Sequence, residues 1–157
     1  MARLRTYIDT SVFGGCFDRE FSRDSRAFFQ AIAAGTITPL LSATLLRELE
    51  EAPQKVRDLL AVTLVGQCER IGVTAEMIDL RDAYLAEKAV AATYADDALH
   101  VAQATIAQAD VIASWNFKHL VNPLRIRTFN RVNTAQGYGQ VIILTPSDIV
   151  RMQENTP

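Results

Sequence analysis

Cysteine is scarce in this chain, with Cys16 and Cys68 the only two. They do not stand at metal-ligand spacing, and one pair is no disulfide framework for 157 residues, so reduced thiols and a cytoplasmic setting are expected. Long hydrophobic runs are also missing. No stretch approaches the roughly 20 apolar residues that a membrane helix needs. The few apolar residues between Met1 and Asp9 are too short a core for a signal peptide. Charge of one sign is not in excess, since 16 basic residues against 18 acidic ones give −2, and bulk charge does not advertise a nucleic-acid partner. The glycine signatures of phosphate loops and dinucleotide folds are absent, as is the Gly-x-Ser-x-Gly elbow, and Gly14-Gly15 is too incomplete to stand for any of them. With no linker, repeat or low-complexity segment, one domain over residues 1–150 and a short tail over 151–157 are expected.

What is present is an ordinary globular composition, 49% hydrophobic and 22% charged, in a chain long enough to bury a core. Leu4–Ile8 reads as a buried strand that stops at a polar turn, Asp9-Thr10-Ser11. A helix capped by Ser22 or Asp24 runs to about Ala34, and Ile37–Leu41 is a second strand. Ser42 opens a helix closed near Pro53, and another covers Gln54–Val62. Cys68–Val73 is a weaker strand. Thr74 caps a long helix to about Ala92, and Asp96 or Asp97 opens the next, to Gln108. Asp110–Ser114, Pro123–Thr134 and Val141–Leu144 complete a strand, helix and strand. Short, continuous apolar strands alternating with helices specify an α/β three-layer sandwich with a central, mainly parallel sheet. Such sheets gather ligands at the carboxyl ends of their strands.

The charges are unevenly placed. No Asp or Glu occurs from Val111 to Ser147, where Lys118, Arg125, Arg127 and Arg131 lie, while acids come earlier, as at Glu48, Glu50 and Glu51. A basic side for phosphates facing an acidic side for cations suits a metal-dependent phosphodiester enzyme, and a plain solvated face would look the same. Asp9 is the first residue past strand one, Glu48 lies in the helix after strand two, Asp96 and Asp97 open the helix before strand four, and Asn116 follows that strand. These positions can converge on one sheet edge. Carboxylates gathered there need protons or hard cations such as Mg²⁺ or Mn²⁺ to neutralise them.

Each residue also has a structural use. Asp9 can make an Asx turn, Glu48 can lie on a solvated helix face, Asp96 or Asp97 can cap a helix, and Asn116 can belong to a turn. His100, one turn from both aspartates, reads as a partly buried, satisfied histidine, and His119 as a surface loop residue. Trp115 can stack on a base or pack in the core.

The order of these segments resembles the PIN-domain family, including the VapC-type toxins of toxin–antitoxin pairs. The resemblance covers nearly the whole chain. It rests on Tyr7-Ile8-Asp9-Thr10-Ser11-Val12, on Ser42 through Glu48-Leu49, on Asp97-Ala98-Leu99-His100-Val101-Ala102, and on Val111-Ile112-Ala113-Ser114-Trp115-Asn116-Phe117. It implies Mg²⁺- or Mn²⁺-dependent cleavage of single-stranded RNA, with Asp9, Glu48 and Asp97 as metal ligands and Thr10 or Ser11 assisting near the first acid. Lys118, Arg125, Arg127 and Arg131 would hold the RNA backbone. A protein antitoxin and a homodimer are the partners that it implies. The family usually has Asp where this chain has Asn116, which offers a neutral oxygen and no charge. Asp96 is the nearest residue that could replace that charge.

Two rival readings remain. In one the fold is kept and the weakened site binds RNA or a protein without cutting. In the other Asp9 is the nucleophile of a phosphatase, but that chemistry generally wants a carboxylate two residues on, and position 11 is Ser11.

Overall fold

The computed structural model describes residues 3–155. Strand β1 (Leu4–Ile8) leads into a short helix α1 (Thr10–Gly15), then α2 (Ser22–Ala33), β2 (Ile37–Ser42), α3 (Ala43–Glu48) and α4 (Gln54–Val65). Next come β3 (Glu69–Ile71), α5 (Ala75–Ala86), a 3₁₀ turn over Ala92–Tyr94, and α6 (Ala95–Ile106). The chain finishes with β4 (Val111–Ala113), α7 (Pro123–Ala135), β5 (Ile143–Leu144) and α8 (Pro146–Glu154). The sheet has five strands in the order β3-β2-β1-β4-β5, and every pairing is parallel.

Alternation along the strands explains the three layers. Tyr7, Leu40, Ile112 and Ile143 enter one core cluster with Leu80 and Tyr84 of α5, Ala98 and Val101 of α6, and Phe129 of α7. Their neighbours Ile8, Leu41, Val111 and Ala113 enter a second cluster with Phe13 of α1, Phe28 of α2, Leu45 of α3, Leu60 of α4 and Ile149 of α8. Because both faces are covered, the strands read as continuous apolar runs rather than alternating ones.

Several local expectations are corrected. Asp9-Thr10-Ser11 does not end in a plain polar turn, because the chain goes straight into α1 with Asp9 as its N-cap residue, though the carboxylate makes no cap bond. Ser22 and Asp24 do not cap α2, which is preceded by Phe21. Asp96 and Asp97 do not cap α6; both lie inside its first turn, after Tyr94. Helix α5 stops at Ala86, where Lys88 takes a positive φ of 59° and turns the chain. Residues expected as a tail continue α8 as far as Glu154. Ser42, Thr74 and Asn122 do cap their helices through side-chain oxygens. Among the described residues, no helix is long and apolar enough to cross a membrane.

Candidate active site

The sheet reverses its winding between β1 and β4, the place where open parallel sheets hold their ligands. Asp9 stands there. Its backbone N–H donates to Ala113 O at 3.0 Å, so the two strand ends are tied. Its Oδ2 accepts hydrogen bonds from Ser11 Oγ at 2.6 Å and Ser114 Oγ at 2.8 Å. The side chain is buried, and these bonds compensate part of the cost of burying its charge.

Glu48, the last residue of α3, reaches the same edge with its side chain 28% exposed. Its Oε1 meets Nε2 of His100, a ring with no solvent exposure that projects from α6. Nε2 also lies 3.8 Å from Asp9 Oδ1 and 3.5 Å from Thr10 Oγ1. On the far side, His100 Nδ1 lies 2.6 Å from the Tyr7 hydroxyl, which also reaches Ser42 Oγ at 2.8 Å and Gln103 Oε1 at 3.1 Å. Tyr7 can donate its hydrogen bond to Ser42 or Gln103 while accepting one from Nδ1, and Nε2 faces carboxylates. That network suits an imidazolium. Burial opposes the charge, yet the Glu48 bond and the charges of Asp9, Glu48 and Asp97 raise the His100 pKa above its usual value. Burial also pushes the Tyr7 phenol well above its ordinary range, so it stays neutral.

Asp97 approaches from the first turn of α6. Its Oδ2 accepts from His119 Nδ1 at 2.8 Å and from Asn116 Nδ2 at 3.4 Å. Burial raises its pKa, the His119 bond counters that, and the charge of Asp9 adds to the rise. Asn116 does not present the carbonyl oxygen expected of a neutral ligand. That oxygen accepts from the His119 backbone N–H at 3.0 Å, which turns the amide nitrogen toward Asp97.

The structure thus brings Asp9, Glu48 and Asp97 around His100, with Asn116 beside Asp97. Ser11 supports Asp9 and Thr10 borders His100. Asp96, the candidate to replace the missing charge, pairs with Arg47 at 3.0 Å, and both side chains are 56% exposed. The four cations separate. Lys118 lies in the loop after β4, with Nζ 5.5 Å from the Tyr94 ring centroid. Arg125 braces that loop by donating to Lys118 O at 3.0 Å and Ala89 O at 2.9 Å. Helix α7 then runs back from the carboxyl edge, which carries exposed Arg127 and Arg131 progressively away from the acids. Arg131 borders a cavity lined with Glu87 and Gln136.

His100, His119, Ser114 and Tyr7 are the site residues whose roles the sequence hides; His119, expected as a surface loop residue, is buried against Asp97. His100 had one usable signal, its spacing of one helical turn from Asp97. Ser114 and Tyr7 had none beyond their strand ends.

Among the described residues, no three His, Cys, Asp or Glu side chains are spaced to hold a metal ion as they stand. The donor chemistry nevertheless suits a hard cation. Mg²⁺ commonly takes one or two carboxylates and completes its shell with water and substrate phosphate rather than an all-protein cage.

No known family profile matches the sequence. No curated protein matches it by sequence either. Solved structures do match by fold. VapBC2 from Rickettsia felis, bound to a DNA fragment from its promoter, is 15% identical with a TM-score of 0.59, over 90% of this chain and 98% of that one. VapC20 of Mycobacterium tuberculosis, a toxin cleaving the sarcin–ricin loop, is 14% identical with a TM-score of 0.55, over 87% of this chain and 98% of that one. The chain has the PIN-like α/β fold of these VapC proteins.

Proposed function

We propose that this chain is a Mg²⁺- or Mn²⁺-dependent endoribonuclease that cleaves single-stranded RNA in the cytoplasm as the toxin of a toxin–antitoxin pair. The observation that carries the reading is the convergence of Asp9, Glu48 and Asp97, from three separate elements, on the carboxyl edge at the β1–β4 switch point. The fold shared with a sarcin–ricin loop cleaving toxin supports it.

Asp9, Glu48 and Asp97 would hold the ion. Such an ion, when bound, supplies Lewis acidity to the scissile phosphate and eases the ionisation of water. Ser11 and Ser114 orient Asp9 by holding Oδ2, so that Oδ1 is the oxygen left for a ligand. His119 orients Asp97 in the same way through Oδ2. Glu48 would exchange its bond with His100 for the ligand. Lys118, beside the site, contacts the RNA backbone as a point charge. Arg127 and Arg131 serve an RNA that extends along α7.

Calorimetric titration of Mn²⁺, paired with a single-stranded RNA cleavage assay, tests the reading. Saturable binding and cleavage in the wild type, both lost in Asp9→Asn with the fold retained, is the expected result. Full cleavage by Asp9→Asn would sink it.

A second reading, a module that binds RNA or a protein without cutting, draws on the amide that Asn116 turns toward Asp97. Asn116→Asp separates the two. If it creates cleavage where the wild type has none, the native chain is a weakened member. The partners proposed are an antitoxin that covers the acidic edge and a second copy of this chain. Solution mass with and without a co-expressed candidate antitoxin tests both.

A further inference from the structure

The aromatic side chains near the acidic edge are not equivalent. Trp115, the sole tryptophan, stacks on Phe21 with centroids 4.3 Å apart and planes 19° from parallel. Its Nε1 donates to Ser25 Oγ at 2.8 Å and its backbone N–H to Ser11 Oγ at 2.9 Å. The indole is therefore committed to holding the loop against α1 and α2. Tyr94 is 37% exposed, but its ring lies 3.9 Å from the His119 ring and also carries the Lys118 ammonium. Phe117 differs from both. It is 51% exposed, and its nearest rings, Phe21 and Trp115, are tilted and more than 6 Å away, at 6.2 and 6.3 Å.

Phe117 also stands on a stiff mount. Its N–H donates to Trp115 O at 3.0 Å, and the Asn116 carbonyl accepts from Leu120 N at 3.0 Å and Val121 N at 2.8 Å. Arg125 ties down Lys118 O from the other side. Its loop neighbours are polar: Asn116, which reaches Asp97, and Lys118, which is cationic. A large apolar ring held in water beside a lysine and the proposed reacting edge matches what a single nucleic-acid strand requires. It needs a π-face for a base and a cation for the phosphate next to it.

We propose that Phe117 is a base-stacking residue, which seats one nucleobase of a single-stranded RNA against the loop so that the adjoining phosphate lies over Asp97 and Asp9. The proposal rests on the ribonuclease reading above and deepens it. The base is gripped by its face, so the contact tolerates any base and discriminates single strands from duplex.

The test is anisotropy of a labelled single-stranded RNA of about ten nucleotides on the Asp9→Asn protein without added metal, repeated with Phe117→Ala, Phe117→Trp and Lys118→Ala added. Phe117→Ala is expected to weaken binding roughly 10-fold with its salt slope unchanged, while Phe117→Trp keeps the affinity. Lys118→Ala is expected to flatten the salt slope by about 0.7, the mark of a lost phosphate contact that no stacking defect would give. Equal affinity in Phe117→Ala and its parent, with RNA bound by both, overturns the stacking role and leaves the ribonuclease reading standing. RNA binding absent from the parent overturns the stacking role, while cleavage by the wild type decides the ribonuclease reading separately. A Phe117→Ala change confined to solution mass assigns the ring to a protein interface and overturns the proposal.

Discussion

The Tyr7 hydroxyl lies 2.6 Å from Nδ1 of His100, and through that contact strand β1 holds the ring whose other nitrogen meets Glu48. The chain therefore positions a carboxylate on α3 by way of a tyrosine inside the sheet. That route passes through the buried core and not along the solvent-facing edge. A buried polar network of this kind stabilises only while each member keeps its partner.

Tyr7→Phe removes the hydroxyl that serves His100, Ser42 and Gln103 together. Leaving those buried partners short of a bond is expected to cost about 1–3 kcal/mol in denaturant unfolding. A loss under about 0.5 kcal/mol would mean that water replaces the hydroxyl.

His100 supplies a pH dependence whose sign follows from its raised pKa. A group bound more tightly to its proton in the folded state stabilises fully below its unfolded value, and that contribution is lost as pH rises through the folded pKa. In metal-free protein the stability gap between wild type and His100→Gln should therefore be widest below the usual histidine value of 6.5 and narrow as pH rises above it. A gap that widens with pH would show the ring to be neutral in the fold.

Gly15 has no room for a methyl group. A Cβ there would come within 2.6 Å of Ser25 Oγ and 2.7 Å of Trp115 Nε1. Gly15→Ala is expected to destabilise the protein by about 1–3 kcal/mol and to shift the fluorescence of its single tryptophan. An unshifted spectrum at full stability would contradict the packing of Trp115 on α1.

Asp96 offers the converse case. Its carboxylate is exposed and pairs with Arg47. Asp96→Asn should change stability by less than about 1 kcal/mol and leave Mn²⁺ affinity unaltered, where Asp97→Asn removes it. A large loss of affinity in Asp96→Asn would put that carboxylate in the site after all.

Much of the frame was legible from residue order. The strand cores around Tyr7-Ile8, Leu40-Leu41 and Val111-Ile112-Ala113 are apolar and short, which only a sheet covered on both faces accommodates. Helix α1 was not legible. A six-residue helix has too few turns to show a period, and Asp9-Thr10-Ser11 also suits a turn. The end of α5 was overrun, because the turn at Lys88 uses a positive φ without glycine to mark it.

The sequence alone placed Asp9, Glu48 and Asp97 at strand-end and helix positions from which a parallel sheet can bring them to one edge. Only the tertiary structure decided how they are occupied. Ser114 bonds Asp9 across 105 positions of chain, and His100 meets Glu48 across 52. The amide of Asn116 faces Asp97 nitrogen-first because the His119 backbone claims its oxygen. Orientation of a side chain is set by the last hydrogen bond available to it. That bond comes from residues distant in sequence, which no local spacing can announce.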